Sequence, residues 1–157
     1  TYTATSTTGV SGREVIMYSW HNIPGLQKFG SYTANNSSDG PFVNLGFKPA
    51  IVMVKVYSGG DNNWVIWDRA RMEGTGNNSS TQTKGNPNVN TLQPDDATDE
   101  PTSGLYYVDF LSNGFKLRVG GSGALRVNGN STSYKYVYCA WAETPHNPLY
   151  GGQPNAL

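Results

Sequence analysis

The side chains that could act as nucleophiles or bases are few in this sequence and far apart. Cys139 is the only cysteine and lies inside an apolar run, while His21 and His146 each follow an apolar run. The Gly-x-Ser-x-Gly motif, which presents a catalytic serine in many hydrolases, does not occur. One thiol can form neither an internal disulfide nor a multi-cysteine zinc site. We therefore interpret Cys139 as a buried and inert thiol.

Carboxylates offer a second route to catalysis, because glycosidases place two of them on opposite sides of a cleft. The chain has 11 Asp and Glu residues, but their spacing singles out no pair. The sequence therefore predicts a protein that is not an enzyme.

One acidic run could bind a metal ion. Asp95, Asp96, Asp99 and Glu100 lie within six residues, and calcium prefers oxygen ligands on flexible loops. The run has neither the ligand spacing nor the glycine of an EF-hand. We favour a solvated acidic loop and expect no cofactor, with calcium at these four residues as the alternative.

A short aromatic segment has the chemistry of a sugar-binding site. Sugar rings stack on aromatic faces, and amide and carboxylate groups satisfy their hydroxyls. Because side chains alternate across a strand, two tryptophans three positions apart point to opposite faces, so at most one of them is exposed on that sheet. We identify this segment as the candidate contact for a glycan or receptor, against the alternative that both rings pack in the core; its residues are Asn62, Asn63, Trp64, Trp67 and Asp68.

The overall composition excludes several classes of protein. Lys and Arg total 11, equal to Asp and Glu, so the chain lacks the basic excess that nucleic-acid binding requires. No run of 18 apolar residues occurs, so we expect no membrane insertion. Charged residues make up 14% and aromatic residues 12% of the chain, and this balance is typical of β-proteins and not of disordered ones.

The elements that must position these residues are short strands. No window of a dozen residues keeps a helical period free of Gly, Pro or Asn. Asn113-Gly114 separates two alternating apolar runs, which is a strong hairpin signal because both residues tolerate the positive φ that such a turn requires. We predict an all-β protein, an antiparallel β-sandwich of the jelly-roll or concanavalin-like kind without a long helix. The predicted strands are residues 13–22, 26–32, 40–45, 50–57, 64–68, 105–111, 114–119 and 134–143.

Two of these strands, at residues 50–54 and 136–141, are apolar on both faces. Such strands are usually central in a sheet and covered on both sides, which is a first indication of a homo-oligomer. We predict that seven residues lie in the core or at a subunit contact: Val52, Val54, Phe115, Leu117, Val119, Val137 and Trp141. By contrast, residues 73–103 are polar and rich in Asn, Thr, Pro and Asp. We interpret them as one long exposed excursion that carries a variable recognition surface.

The sequence also contains an internal echo. Residues 13–24 align with residues 134–145, because each has an apolar strand, then Trp, two intervening residues, a spacer and Pro. We therefore divide the chain into residues 1–24, a β-sandwich unit at 25–145 and a C-terminal tail at 146–157. The first segment is either the terminal strand of a preceding repeat or an arm that bridges subunits. The candidate assembly contact consists of Val15, Ile16, Met17, Tyr18 and Trp20.

Six segments in order together resemble a known type of domain. They are FGSYT at 29–33, DGPFV at 39–43, GFKPA at 46–50, WVIWD at 64–68, DFLSNGFKLR at 109–118 and YVYCAWAETP at 136–145. This pattern resembles the β-sandwich repeat domain of bacteriophage tail-fibre and other virion appendage proteins. The resemblance implies a structural or host-recognition role in the virion, usually within a homotrimer, and it supplies no catalytic motif.

The expected function is therefore that of a structural and adhesive component of a phage tail fibre or similar virion appendage. The expected partners are other copies of the chain, in a trimer or filament, and a glycan or protein on the host surface. Two alternatives remain open. One is a carbohydrate-binding, lectin-like module, and the other is a polymerising subunit of an extracellular surface filament.

Overall fold

The computed structural model describes residues 18–60, 62–70, 91–97, 106–120, 127–129 and 131–144. Within these ranges the chain forms strands and no α-helix, so no helix there could cross a membrane. The strands build two antiparallel sheets, which confirms the predicted all-β sandwich. In chain order they are β1 (Gln27–Thr33), β2 (Phe42–Asn44), β3 (Pro49–Ser58), β4 (Val65–Asp68), β5 (Val108–Leu111), β6 (Gly114–Leu117) and β7 (Lys135–Ala142).

The larger sheet has the strand order β1-β7-β3-β4. The two strands predicted to be central from their doubly apolar sequences, β3 and β7, occupy its middle. β7 is antiparallel to both neighbours, pairing Gly30 with Tyr138 on one side and Val54 with Tyr138 on the other. A central position fits the sequence, because the inward residues of both strands are buried and most of their outward apolar residues are half-buried between flanking strands.

The smaller sheet has the order β2-β6-β5, and the predicted Asn113-Gly114 hairpin joins β5 to β6. Neither residue takes the positive φ that we expected at this turn. Gly114 is instead required by close approach, since a Cβ atom there would lie 2.1 Å from the backbone oxygen of Val43 in β2. Gly46 does take a positive φ, of 81°, in the turn that leads into β3.

The core lies between the two sheets and is built largely from rings. Tyr32 stacks on Tyr136 with centroids 5.1 Å apart, and Phe115 meets the edges of Tyr32 and Tyr138 at 6.2 and 5.7 Å. Trp67 is fully buried, and its indole Nε1 donates to the backbone oxygen of Tyr106 at 2.8 Å. Most residues predicted for the core are indeed buried there: Val52, Val54, Phe115, Leu117 and Val119.

One buried amide joins the loops at one end of the sandwich. Asn128 is fully buried, and its Nδ2 donates to the backbone oxygens of Val119 at 2.7 Å and Ser37 at 2.9 Å. Its Oδ1 accepts from the backbone N–H of Asn35 at 3.0 Å. A buried amide satisfied on both ends stabilises one loop arrangement, because every alternative leaves a polar group unpaired.

Two sequence expectations need correction. The excursion at 73–103 is not wholly exposed, since Leu92 pairs with Ile66 of β4, and Thr91 and Gln93 are buried. The predicted strand at 13–22 is not formed over residues 18–22, where the structure shows no strand. Residues 13–17, like the predicted tail at 146–157, lie outside the described residues.

We expect Phe115→Ala to destabilise the protein by about 3–5 kcal/mol, because the ring is fully buried and its removal leaves a cavity. Phe42→Ala is the matched control, since this ring is 45% exposed on the neighbouring strand and should cost less than about 1 kcal/mol. Urea unfolding followed by fluorescence measures both. Equal losses for the two variants would contradict the assignment of the core.

Alkaline pH should also destabilise the fold. Burial raises the pKa of Tyr136 from its ordinary value of 10.0 to about 12, and it raises the pKa of Tyr32 and Tyr138 as well. The folded protein then holds these phenol protons more tightly than the unfolded chain does. Their contribution is therefore fully present below about pH 10 and is lost as the pH rises towards 12.

Urea unfolding at a series of pH values between 8 and 12 tests this expectation. Tyr136→Phe should cost about 1–3 kcal/mol at neutral pH, because the backbone N–H of Gly129 loses its acceptor, the Tyr136 hydroxyl at 2.9 Å. The same variant should show a shallower alkaline decline than the parent protein. An unchanged decline would mean that Tyr136 does not contribute to it.

Candidate functional site

The structure separates the predicted glycan-contact residues into a buried and an accessible group. Trp67 lies in the core with no exposed surface, so it cannot stack on a sugar in this structure. Asn62, Asn63 and Trp64 precede β4 and are half-buried, and Asp68 at the far end of β4 is half-buried too. The accessible group is therefore centred on Trp64, at the start of the edge strand.

A polar cluster surrounds Trp64 and joins the two chain segments that flank it. The carboxylate of Asp95 accepts the backbone N–H of Trp64 at 2.9 Å and lies 3.5 Å from Nζ of Lys55. Asn63 Nδ2 donates to Oε1 of Gln93 at 3.1 Å and also contacts a carboxylate oxygen of Asp96. Leu92 pairs with β4, so it brings Gln93 and the two carboxylates to this position.

These contacts bear on the calcium hypothesis. Asp95 faces the ammonium group of Lys55, and Asp96 faces an amide donor, so both carboxylates already have protein partners. No group of three His, Cys, Asp or Glu side chains among the described residues could hold a metal ion. Asp99 and Glu100, the other two acids of the proposed site, lie outside those residues.

One donor of the cluster has no partner within the described part of the chain. Nε2 of Gln93 is buried and makes no hydrogen bond there, although Oε1 of the same amide accepts from Asn63. An unpaired buried donor is costly, and binding of an acceptor group would recover that cost. Gln93 belongs to the same polar cluster as Asn63 and Trp64, and such a donor suits a hydroxyl-bearing ligand.

A second group of side chains forms a row of aromatic rings, which we call the aromatic row. It consists of Tyr18, Trp20, Phe29 and Trp141, with successive ring centroids 5.9, 6.2 and 5.8 Å apart. The first two steps are nearly parallel stacks, with interplanar angles of 21° and 24°, and the third is an edge contact. Tyr18 is 72% exposed and Trp20 is 56% exposed.

The aromatic row lies on the face of the larger sheet that points away from the core, the outer face. Strand alternation places Phe29 of β1, Cys139 of β7, Met53 of β3 and Ile66 of β4 side by side on it, because the register pairs them in one row across the sheet. Val137, Trp141 and Ile51 lie in the adjacent rows, and Ile51 is 40% exposed. The outer face is therefore largely apolar at its centre.

Val137 and Trp141 were predicted to be in the core or at a subunit contact. Both are half-buried on the outer face and not in the core between the sheets. Of the predicted assembly residues, Tyr18 and Trp20 are in the aromatic row, whereas Val15, Ile16 and Met17 lie outside the described residues. Sequence reasoning missed Phe29 as a member of this group. The signal was present in β1, because Phe29 lies three positions before Tyr32 and therefore on the opposite face of the strand.

The thiol, which we expected to be buried, is half-buried on the outer face. Burial raises the pKa of Cys139 above its ordinary value, so the side chain stays protonated at neutral pH and is a poor nucleophile. His21 is exposed, and its ring nitrogen faces the backbone oxygen of the adjacent Asn22. Cys139 and His21 therefore do not form a pair of nucleophile and general base.

Comparison with known proteins gives one result that concerns the family. No curated protein and no solved structure matches the chain. A family model matches residues 1–145, a range that includes both the segment at 1–24 and the whole sandwich. The chain therefore belongs to the family described as Domain of unknown function (DUF7483).

Proposed function

We propose that the chain is a structural and adhesive unit of an extracellular fibre, a bacteriophage tail fibre or similar virion appendage, and that it assembles with copies of itself. The observation that carries this proposal is the exposed aromatic row on an apolar sheet face. The resemblance of the six sequence segments to tail-fibre domains supports the same function. The proposed location is the virion tail or an extracellular appendage.

The exposed rings of the aromatic row favour an interaction with a partner molecule at this surface. Tyr18 and Trp20 are each more than half exposed to water, and they adjoin the apolar outer face. Contiguous exposed apolar surface of this kind usually marks an interaction site. Aromatic residues are also enriched at the centres of protein interfaces.

The geometry of the rings favours a protein partner over a sugar. Trp20 lies between Tyr18 and Phe29, and both of these contacts are stacks. These two stacked neighbours compete for the ring surface that a sugar would need. The exposed rings and the aliphatic side chains of the outer face instead suit close packing against another protein surface.

The proposal is tested by the mass of the assembled particle. Trp20→Ser should reduce the assembly measured by size-exclusion chromatography with light scattering, because it removes the largest exposed ring of the aromatic row. Phe42→Ser is the matched control, since Phe42 is 45% exposed but lies in β2 of the smaller sheet. It should leave the mass unchanged.

Cys139 provides a second readout of the same test. Its thiol lies on the outer face, so assembly through this face should slow its labelling by a maleimide, and Trp20→Ser should restore the rate. A protein that stays monomeric at every concentration would contradict the proposal. So would an assembly that Phe42→Ser disrupts and Trp20→Ser does not.

A polymerising subunit of a cellular surface filament would assemble in the same way. Electron microscopy of virions and of host cells, each labelled with an antibody against the chain, distinguishes the two. Label on virion tails supports the phage appendage, and label on cellular filaments contradicts it.

A lectin-like, carbohydrate-binding module is the second candidate function, and the polar cluster at Trp64 favours it. Half-buried Trp64 follows Asn62 and Asn63 in the chain, and Asn63 donates to Oε1 of Gln93, whose buried Nε2 has no hydrogen-bond partner among the described residues. If this cluster binds a host glycan, Trp64→Ala should abolish retention on an array of host-surface glycans, while Tyr57→Ala, which removes another exposed ring, should not. Equal retention by parent and Trp64→Ala would exclude this site.

A further inference from the structure

β1 forms one edge of the larger sheet, and some of its backbone N–H and C=O groups point away from β7, the strand with which it pairs. At either end of β1 the even-numbered positions face β7, since Leu26 accepts from Ala142 and Ala34 donates to Tyr134. The odd-numbered positions face outward, as shown by Gln27, whose backbone bonds to Ile23 on the other side. Alternation along the strand gives Ser31 and Thr33 the same outward direction.

The chain itself occupies only the first part of this edge. Ile23 pairs with Gln27, and the backbone N–H of Phe29 donates to Oδ1 of Asn22 at 2.7 Å. Beyond Phe29, the outward groups of Ser31 and Thr33 find no hydrogen-bond partner within the part of the chain that the structure describes. Both residues are exposed.

The open part of the edge also lacks the features that normally prevent strand addition. Natural edge strands are protected by charges, prolines, bulges or short length. Residues 29–33 are Phe, Gly, Ser, Tyr and Thr, with neither a charge nor a proline. Their pairing with β7 runs without a register shift, so no bulge protects this part of the strand.

The sequence echo indicates which strand would fit this edge. The part of β7 that pairs beside the open edge extends from the pair of Gly30 with Tyr138 to the pair of Thr33 with Lys135. The residues 121 positions earlier in the chain are 14–17, and the preceding Arg13 corresponds to Tyr134. The segment at 13–17 therefore has the sequence pattern of the strand that already binds β1 on its other side.

The path of residues 18–22 argues against pairing of the segment 13–17 with β1 of the same chain. A hairpin continued from the Ile23–Gln27 pair would place Ser19 opposite Ser31, in a strand. In the structure residues 18–22 form no strand, and Trp20 stacks on the outer face against Phe29. The chain thus leaves the edge at Asn22, which keeps positions 31 and 33 accessible to another molecule.

We propose that the open edge of β1, at residues 29–33, accepts the segment 13–17 of a second copy of this chain as an added antiparallel strand. This inference rests on the proposed assembly function and deepens it, because it assigns the donor and the acceptor. Main-chain hydrogen bonds supply the contact, as in other cases of strand addition. The aliphatic side chains of Val15, Ile16 and Met17 extend the sheet on both faces.

Ser31→Pro tests the acceptor edge. Proline removes the outward N–H at this position without touching the bonds to β7, and edge strands tolerate it there. Ser31→Ala is the matched control because it keeps the N–H. We expect Ser31→Pro to weaken association by about tenfold or more in analytical ultracentrifugation, with near-ultraviolet circular dichroism as in the parent, while Ser31→Ala associates normally.

Cross-linking tests the donor, in a Cys139→Ser background with a short bismaleimide. Chains carrying Ile16→Cys and chains carrying Ser31→Cys, co-expressed with different tags, should form a mixed covalent dimer. Ser112→Cys, on the β5–β6 turn of the smaller sheet, replaces Ser31→Cys as the control and should give none. If the Ile16→Cys/Ser31→Cys double variant forms cross-links only within one chain, the proposal is overturned. Cross-links between two Ser31→Cys chains would also overturn it.

The two proposals fail separately. If Ser31→Pro assembles like the parent while Trp20→Ser does not, the edge proposal is overturned and assembly through the aromatic row stands. If the parent protein is monomeric throughout, both are overturned.

Discussion

The pairing of β7 with β1 on one side and β3 on the other is the constraint on which the larger sheet depends. Its inward residues Tyr136 and Tyr138 contribute two of the main rings of the core, and Tyr136 also accepts the backbone N–H of Gly129. Its outward residues Val137, Cys139 and Trp141 form the middle of the outer face. One strand thus contributes to the core, to the loop at residue 129 and to the surface proposed for assembly.

This double role explains why much of the fold could be predicted from the sequence. A strand that is apolar on both faces appears in the sequence as a continuous apolar run. Both such runs are the central strands of the larger sheet. Strict alternation in β6 identified Phe115 and Leu117 as buried. These signals are local, because they depend on the chain's own period and on turn residues nearby.

The parts that could not be predicted depend on contacts between distant segments. Nothing in the local sequence of Thr91 and Gln93 shows that Leu92 pairs with Ile66 and draws both neighbours into the interior. Alternation indicated that at most one of Trp64 and Trp67 is exposed, but it does not say which of them faces the core. The glycine at position 114 was attributed to its own backbone freedom, whereas the close approach of Val43 requires it.

For the candidate site, the sequence identified Tyr18 and Trp20, but the stacking on Phe29 and Trp141 arises only when β1 and β7 pair.

The buried Asn128 has a consequence for the chemical lifetime of the molecule. An Asn-Gly pair is the dipeptide most prone to deamidation, a reaction in which the glycine nitrogen attacks the side-chain carbonyl of the asparagine. In the folded chain, Oδ1 of Asn128 is held by Asn35, its Nδ2 by Val119, and the N–H of Gly129 by the hydroxyl of Tyr136. The attacking atom and the leaving amide are therefore fixed apart by separate partners in a site without solvent access. The same contacts that organise this end of the sandwich therefore also slow the deamidation of Asn128.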